Sequence, residues 1–261
     1  MMNYENWLLS IEGHIATLTL NRGKHNRISP ETLYELRDIA SFLRGRKDVW
    51  VVVVEGAGEH FSSGVDVNTI ALLVGQDEQT YRDNLRDLQD CLDTFEQLEQ
   101  VLIAKIHGYC LGGGLLLSLC CDFRIAAADA TFGLPEVKRS IAVIMGTQRI
   151  TRIAGIAATK EMTLLAELFD AQRAFEYGLL HQVVEGGELE TAVSTLANKF
   201  NHLPPRDVGV AKRIIDQGYK MSLRESQDFE IEAQAEILQS SDFQEAIASF
   251  FEKRPPRYTG E

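Results

Sequence analysis

The chain has 261 residues, enough for one large domain or a core with an appendage, and its 45% hydrophobic and 25% charged residues suit a globular protein with a buried core. A formal net charge of −12 argues against nucleic-acid binding, which rests on Lys and Arg neutralising phosphates, yet a local cationic cluster can still hold an anionic small molecule. No apolar run approaches the roughly 18 residues of a membrane-spanning helix, so no membrane partner is expected. Residues 14–20 alternate small or apolar with β-branched side chains and predict a strand, followed by a polar loop from Asn21 to Ile28. Ser29-Pro30 then sets an N-cap with Pro at the first helical position, opening a helix to about Arg44. Residues 49–55 and 101–107 are apolar runs typical of strands buried on both faces, and Phe123–Ala127 is a shorter candidate. Between them, Leu85, Leu88, Leu92, Phe95 and Leu98 recur at helical spacing, so 77–100 predicts an amphipathic helix. From about 146 onward the pattern is almost wholly helical, broken by Val183-Val184. Pro204-Pro205 marks the passage into a helical tail, which suggests a core over 1–203 and a C-terminal region over 204–261.

The N-terminus has no basic start followed by an apolar run, and the four cysteines (Cys91, Cys110, Cys120, Cys121) have no CxxC spacing. Buried thiols in a reducing compartment, and hence a cytoplasmic location, are expected. His14, His107, His181 and His202 have no partners at metal-ligand spacing, so no metal site is expected.

Two glycine-bearing stretches follow the buried strands. His60-Phe61-Ser62-Ser63-Gly64-Val65-Asp66-Val67 comes after 49–55, where small residues and Gly let backbone amides approach a ligand. Gly112-Gly113-Gly114 comes after 101–107 and opens an apolar run. It reads as a turn into a buried helix, either as tight packing alone or with free N–H groups able to hold a developing negative charge. A third stretch, Ala130-Thr131-Phe132-Gly133-Leu134-Pro135-Glu136-Val137, is followed by Gly146-Thr147-Gln148-Arg149.

Together these motifs resemble those of the crotonase (enoyl-CoA hydratase/isomerase) family. FSSGVDV is similar to its FxAGAD element, GYCLGGGLLLSLCCDFRIA to GxxxGGGxxLALxCDxRIA, and ATFGLPEV with GTQRI to AxFGxPEV…GxxGTQRL. The resemblance spans nearly the whole chain, from Asn21-Arg22 to the FFEKR end at 250–254. It implies an α/β fold, a spiral of repeated ββα units with C-terminal helices that drive assembly into a trimer or a dimer of trimers. It implies a coenzyme A thioester as substrate and no permanently bound cofactor. It also implies two backbone N–H groups on the thioester oxygen, carried over to Ser63 and Gly113. The coenzyme is expected along Lys24, Asn26 and Arg27, along Val65, Asp66 and Val67, and at Phe250 and Lys253, with Lys24, Arg27 or Lys253 near a phosphate.

The resemblance also bears on the reaction. The family's hydratases carry two glutamates, and here the second is present as Glu136 while the first position holds Leu116. Hydration divides its proton work between two groups, whereas a double-bond shift needs one base. Leu116 with Glu136 resembles the family's Δ3,Δ2-enoyl-CoA isomerases. The expected activity is therefore isomerisation of a 3-enoyl to a 2-enoyl thioester, with Glu136 as acid/base and Leu116 lining the pocket. Alternatives are a hydratase, another thioester reaction of this family with help from His25, His60 or Tyr109, or a non-catalytic CoA-binding oligomer.

Overall fold

A computed structural model describes residues 4–71 and 75–261. Strands β1 (Trp7–Glu12) and β2 (Ile15–Leu20) form an antiparallel hairpin. Helix α1 (Pro30–Arg44) is capped by Ser29, whose hydroxyl accepts from the Thr32 N–H, and carries the chain to β3 (Val51–Gly56), parallel to β2. The short α2 (Val67–Ala71) and the longer α3 (Glu78–Glu96), which Asp77 caps, lead to β4 (Val101–Ile106), parallel to β3. The amphipathic helix read over 77–100 is therefore α3, shorter at its C-terminal end.

The chain then alternates between two sheets. β5 (Tyr109–Leu111) and α4 (Gly113–Leu119) precede β6 (Phe123–Ala127); β7 (Thr131–Gly133) runs into a 3₁₀ turn at Pro135–Arg139. Helix α5 (Thr147–Lys160), a π-helical turn at Glu161–Leu165, β8 (Leu168–Asp170), α6 (Ala171–Glu176) and β9 (Gln182–Val184) complete the core. The larger sheet has the order β1-β2-β3-β4-β6-β9 and the smaller β5-β7-β8. The successive pairs β4–β5 and β6–β7 each place one strand in either sheet before the next helical turn, which is the repeated ββα spiral. Parallel neighbours require such crossovers.

β3 and β4 are buried on both faces, as their apolar runs demand. Val52, Val54, Leu102 and Ala104 enter the main core with α1 and α3, whereas Val51, Val53, Val101 and Ile103 face a second core shared with Leu189, Val193 and Ala197 of α7 (Leu189–Phe200). Helices α8 (Pro205–Gly218), α9 (Leu223–Ile237) and α10 (Ser241–Glu252) form the helical C-terminal region around Val210, Ala233 and Ile237. α8 is pinned to the core by Lys212, whose Nζ meets Asp122 at 2.9 Å and donates to the Gln100 carbonyl. Among the described residues no helix is long and apolar enough to cross a membrane.

Candidate active site

Three loops at the C-terminal ends of β3, β5 and β7 converge. Between Phe61 and Asp66, amide after amide is committed. Phe61 donates to His107 O, Ser62 to Tyr109 O, Ser63 to His25 O (2.9 Å), Gly64 to Ser62 Oγ and Asp66 to Ile28 O. The Val65 N–H alone has no acceptor among the described residues. The cause is the parallel bridge between Ile28 and Val65, in which Gly64 O and Asp66 N face Ile28, so that the amide between them turns the other way. The assignment of a free amide to Ser63 is thereby corrected. Its N–H holds the Asn21–Ile28 loop in place, and the free one lies two residues on.

The second loop is the Gly112-Gly113-Gly114 turn. Gly112 donates to Gly133 O and takes φ 47°, ψ −123°, a conformation open to glycine. Gly113 is the first residue of α4, so its N–H has no partner within the helix. A β-carbon built on Gly113 would lie 3.5 Å from the Val65 N, and one on Gly64 would lie 3.4 Å from the Gly113 N. The Val65 and Gly113 amides are thus neighbours. Gly114 packs against Ser62, which closes the turn from behind.

Glu136 comes from the 3₁₀ turn after β7, which the Leu111–Gly133 pairing brings alongside β5. Its Oε1 lies against Gly112, where a β-carbon would approach to 2.6 Å, and its Oε2 is buried and accepts no hydrogen bond among the described residues. Burial raises its pKa above the ordinary glutamate value; a backbone hydrogen bond and the Arg139 charge offset this in part. Leu116, one helical turn past Gly112, is 5% exposed, lies in the main core and is packed against the Cα of Gly146.

The remaining expected contacts sort by geometry. Val65 and Val67 are exposed and offer apolar surface beside the free amide. Asn26 is wholly buried: its amide nitrogen donates to Ala57 O and His60 O at 2.8 Å each, and its Oδ1 accepts from the Arg22 N–H. It is a staple for two loops, and its side chain is not available to a ligand. Asp66 is likewise engaged, by Arg22 at 2.9 Å and by the Asn68 N–H. Lys24 faces Glu59 at 3.6 Å across an open depression of about 390 Å³ lined by Asn21, Gly23, Ala57 and Gly58. Arg27 is exposed and has no ion pair among the described residues. Phe250 is 77% exposed and meets Phe251 edge-on; among the described residues neither it nor Lys253 hydrogen-bonds or stacks with the three loops. No three His, Cys, Asp or Glu side chains among the described residues stand close enough to hold a metal ion. Reading the sequence did not find Gly112 as the seat of the carboxylate, although a triple glycine immediately after β5, the strand that pairs with β7, was the available hint.

The enoyl-CoA hydratase/isomerase family model matches residues 10–261. The short-chain-enoyl-CoA hydratase of Clostridium acetobutylicum is 32% identical, over 97% of both chains. The peroxisomal Δ(3,5)-Δ(2,4)-dienoyl-CoA isomerase of Arabidopsis thaliana is 31% identical over 95% of this chain and 93% of that protein. The crystal structure of an enoyl-CoA hydratase from Bacillus anthracis superposes with a TM-score of 0.90 at 35% identity, covering 98% of this chain and 100% of that one. The chain belongs to the enoyl-CoA hydratase/isomerase family and has its crotonase fold. It is an enzyme of a family that acts on coenzyme A thioesters.

Proposed function

We propose that this enzyme shifts a double bond in an enoyl-CoA, converting a 3-enoyl to a 2-enoyl thioester. The observation that carries this reading is one half-buried carboxylate, Glu136, whose Oε2 is buried and has no hydrogen-bond partner among the described residues, beside two free amides, with Leu116 in the core where a second carboxylate would be needed for hydration. The Val65 and Gly113 N–H groups bind the thioester oxygen, and each such donor contributes about 3 kcal/mol as charge develops there. Glu136 takes a proton from C2, the amides hold the resulting dienolate, and the same carboxyl returns the proton to C4 while the double bond moves into conjugation. No water enters the product. The raised pKa suits a group that must both accept and give up a proton near neutral pH.

Val65 and Val67 flank the coenzyme's path, and Arg27 with Lys24 supplies positive charge for its phosphates, Lys24 by leaving Glu59. Phe250 and Lys253 reach a coenzyme in a neighbouring subunit, since within one chain they stand apart from the site. This placement needs a neighbouring subunit, and the proposed assembly is a trimer or a dimer of trimers.

The mechanism is tested with a 3-enoyl-CoA deuterated at C2. A single carboxyl working on one face carries part of the label to C4 of the product. A hydratase would instead leave this label in place and add water across C2=C3 of the matching 2-enoyl-CoA, with hydroxyl at C3 and a proton at C2, the reaction class for which the Clostridium relative is named.

A further inference from the structure

The loop that carries Val65 and the strand β5 that leads into Gly113 are zipped together by a short ladder. Phe61 N–H donates to His107 O (2.9 Å), Ser62 N–H to Tyr109 O (2.8 Å) and Leu111 N–H to Ser62 O (3.0 Å). One rung is unusual. Regular parallel pairing around the Ser62–Cys110 bridge would give the Tyr109 N–H to the His60 carbonyl, but that carbonyl already accepts from the Asn26 amide at 2.8 Å. The Tyr109 N–H donates instead to the His60 side chain, at Nδ1, 3.3 Å away. The imidazole is held between the rings of His25 (5.5 Å) and Tyr109 (4.4 Å), both near-parallel to it. Gly108 brings the strand close enough for this, since a β-carbon there would sit 2.6 Å from Nδ1.

We propose that neutral His60 is a positioning residue, which sets the spacing of the Val65 and Gly113 amides by closing the ladder between their two segments. The inference rests on reading those amides as the pair that binds the thioester oxygen. Nδ1 accepts only when it carries no proton; protonated, it becomes a second donor facing the Tyr109 N–H and the rung opens. The groups that face the ring are His25 and Tyr109, with His107 nearby and Glu59, itself paired with Lys24. Burial first, then the His25 charge, depresses the His60 pKa, and Glu59 opposes them. The rung is therefore intact at neutral pH and opens only below the ordinary histidine range near 6.5.

Asn places Oδ1 close to where Nδ1 stands and cannot titrate, so His60→Asn separates the hydrogen bond from the proton. The direct readout is the red shift in absorbance of a bound aryl-conjugated enoyl-CoA, which reports polarisation of its carbonyl by the two amides. Measured in a Glu136→Gln background, it is free of turnover and of Glu136 titration. The expected result is a red shift that fades in acid with His60 present, is lost in His60→Ala, and persists without acid fading in His60→Asn. With Glu136 restored, kcat of His60→Ala falls about tenfold, the loss of one hydrogen bond's worth of stabilisation at about 1.4 kcal/mol, and KM changes little. An unaltered red shift in His60→Ala overturns the proposal, as does a His60→Asn variant that fades in acid like its parent. If His60→Ala does not fold, the Asn variant and the acid titration of the parent still decide. A complete absence of red shift in the parent would instead remove the amide pair itself, and the role of His60 with it.

Discussion

The carboxylate of Glu136 rests against the α-carbon of Gly112, so closely that a β-carbon at 112 would lie 2.6 Å from Oε1. Gly112 also turns the chain into α4 at a positive φ that other residues rarely adopt. One glycine therefore seats the base and presents the Gly113 amide. Gly112→Ala is expected to displace both and to lower kcat by about 10²-fold or more, the scale set by misplacements of about an ångström. Activity near that of the wild type in this variant would show that the carboxylate acts from another position.

Glu136→Gln removes the proton carrier and preserves shape, so turnover should fall by about 10²–10⁴-fold while thioester binding persists. The stability effect has the opposite sign. A carboxyl whose folded pKa is raised contributes stability that is fully present below its unfolded value and is lost as pH rises through the folded one. At neutral pH the buried charge is thus a cost, and Glu136→Gln should melt at a higher temperature than the wild type, with the gap closing in acid. The wild-type kcat/KM should fall as pH drops through a pKa above the ordinary glutamate value of about 4.3. Equal melting temperatures at all pH values would contradict the unpartnered burial.

Leu116 is tucked against the Gly146 Cα in the main core. A carboxylate introduced there by Leu116→Glu has no ready partner, and burying an unpaired charge costs several kcal/mol. The variant should melt well below the wild type and gain no hydratase activity. A stable Leu116→Glu protein that hydrates a 2-enoyl thioester rapidly would mean that the position opens onto the site.

How far the sequence discloses all this depends on the length of each element. β3 and β4 are legible because six apolar-rich residues buried on both faces leave a continuous run. β5, β7 and β8 are three residues each, too short for any periodicity, and β8 falls in a stretch that reads as helical. β1 is likewise missed, since the outward-facing Leu8 interrupts an otherwise alternating pattern. The places of Glu136 in the turn after β7 and of Gly113 at the start of α4 follow from motif and register. Which amide of the Ser63–Val65 stretch is free is not, because that depends on Ser63 pairing with His25 and on Ile28 bridging to Val65, partners some forty residues away. The same holds for Asn26, expected along the coenzyme from the resemblance, whose two carbonyl acceptors lie some thirty residues away and are visible only in the fold.

The proposed assembly has a counterpart in the apolar surface of one chain. Ile156 and Leu164 near the π-helical turn, and Leu223, Ile231, Phe250 and Phe251 on the C-terminal helices, are largely exposed in one chain. Large apolar side chains in such number mark contact surfaces. Light scattering at micromolar concentration should return the mass of a trimer or hexamer. A monomer mass would leave those side chains, and the placement of Phe250 and Lys253 at a neighbour's coenzyme, without a basis.

One carboxylate is enough for the proposed reaction because a double-bond shift adds no water. The most direct measurement is the ratio of isomerisation to hydration by the wild-type enzyme, on 3-enoyl-CoA and 2-enoyl-CoA of matched chain length, at saturating substrate and one pH. Leu116 in the core and the buried, unpartnered Oε2 of Glu136 among the described residues predict that isomerisation is faster by about 10²-fold or more, the worth of a second acid/base group. Hydration as the faster reaction would contradict the account.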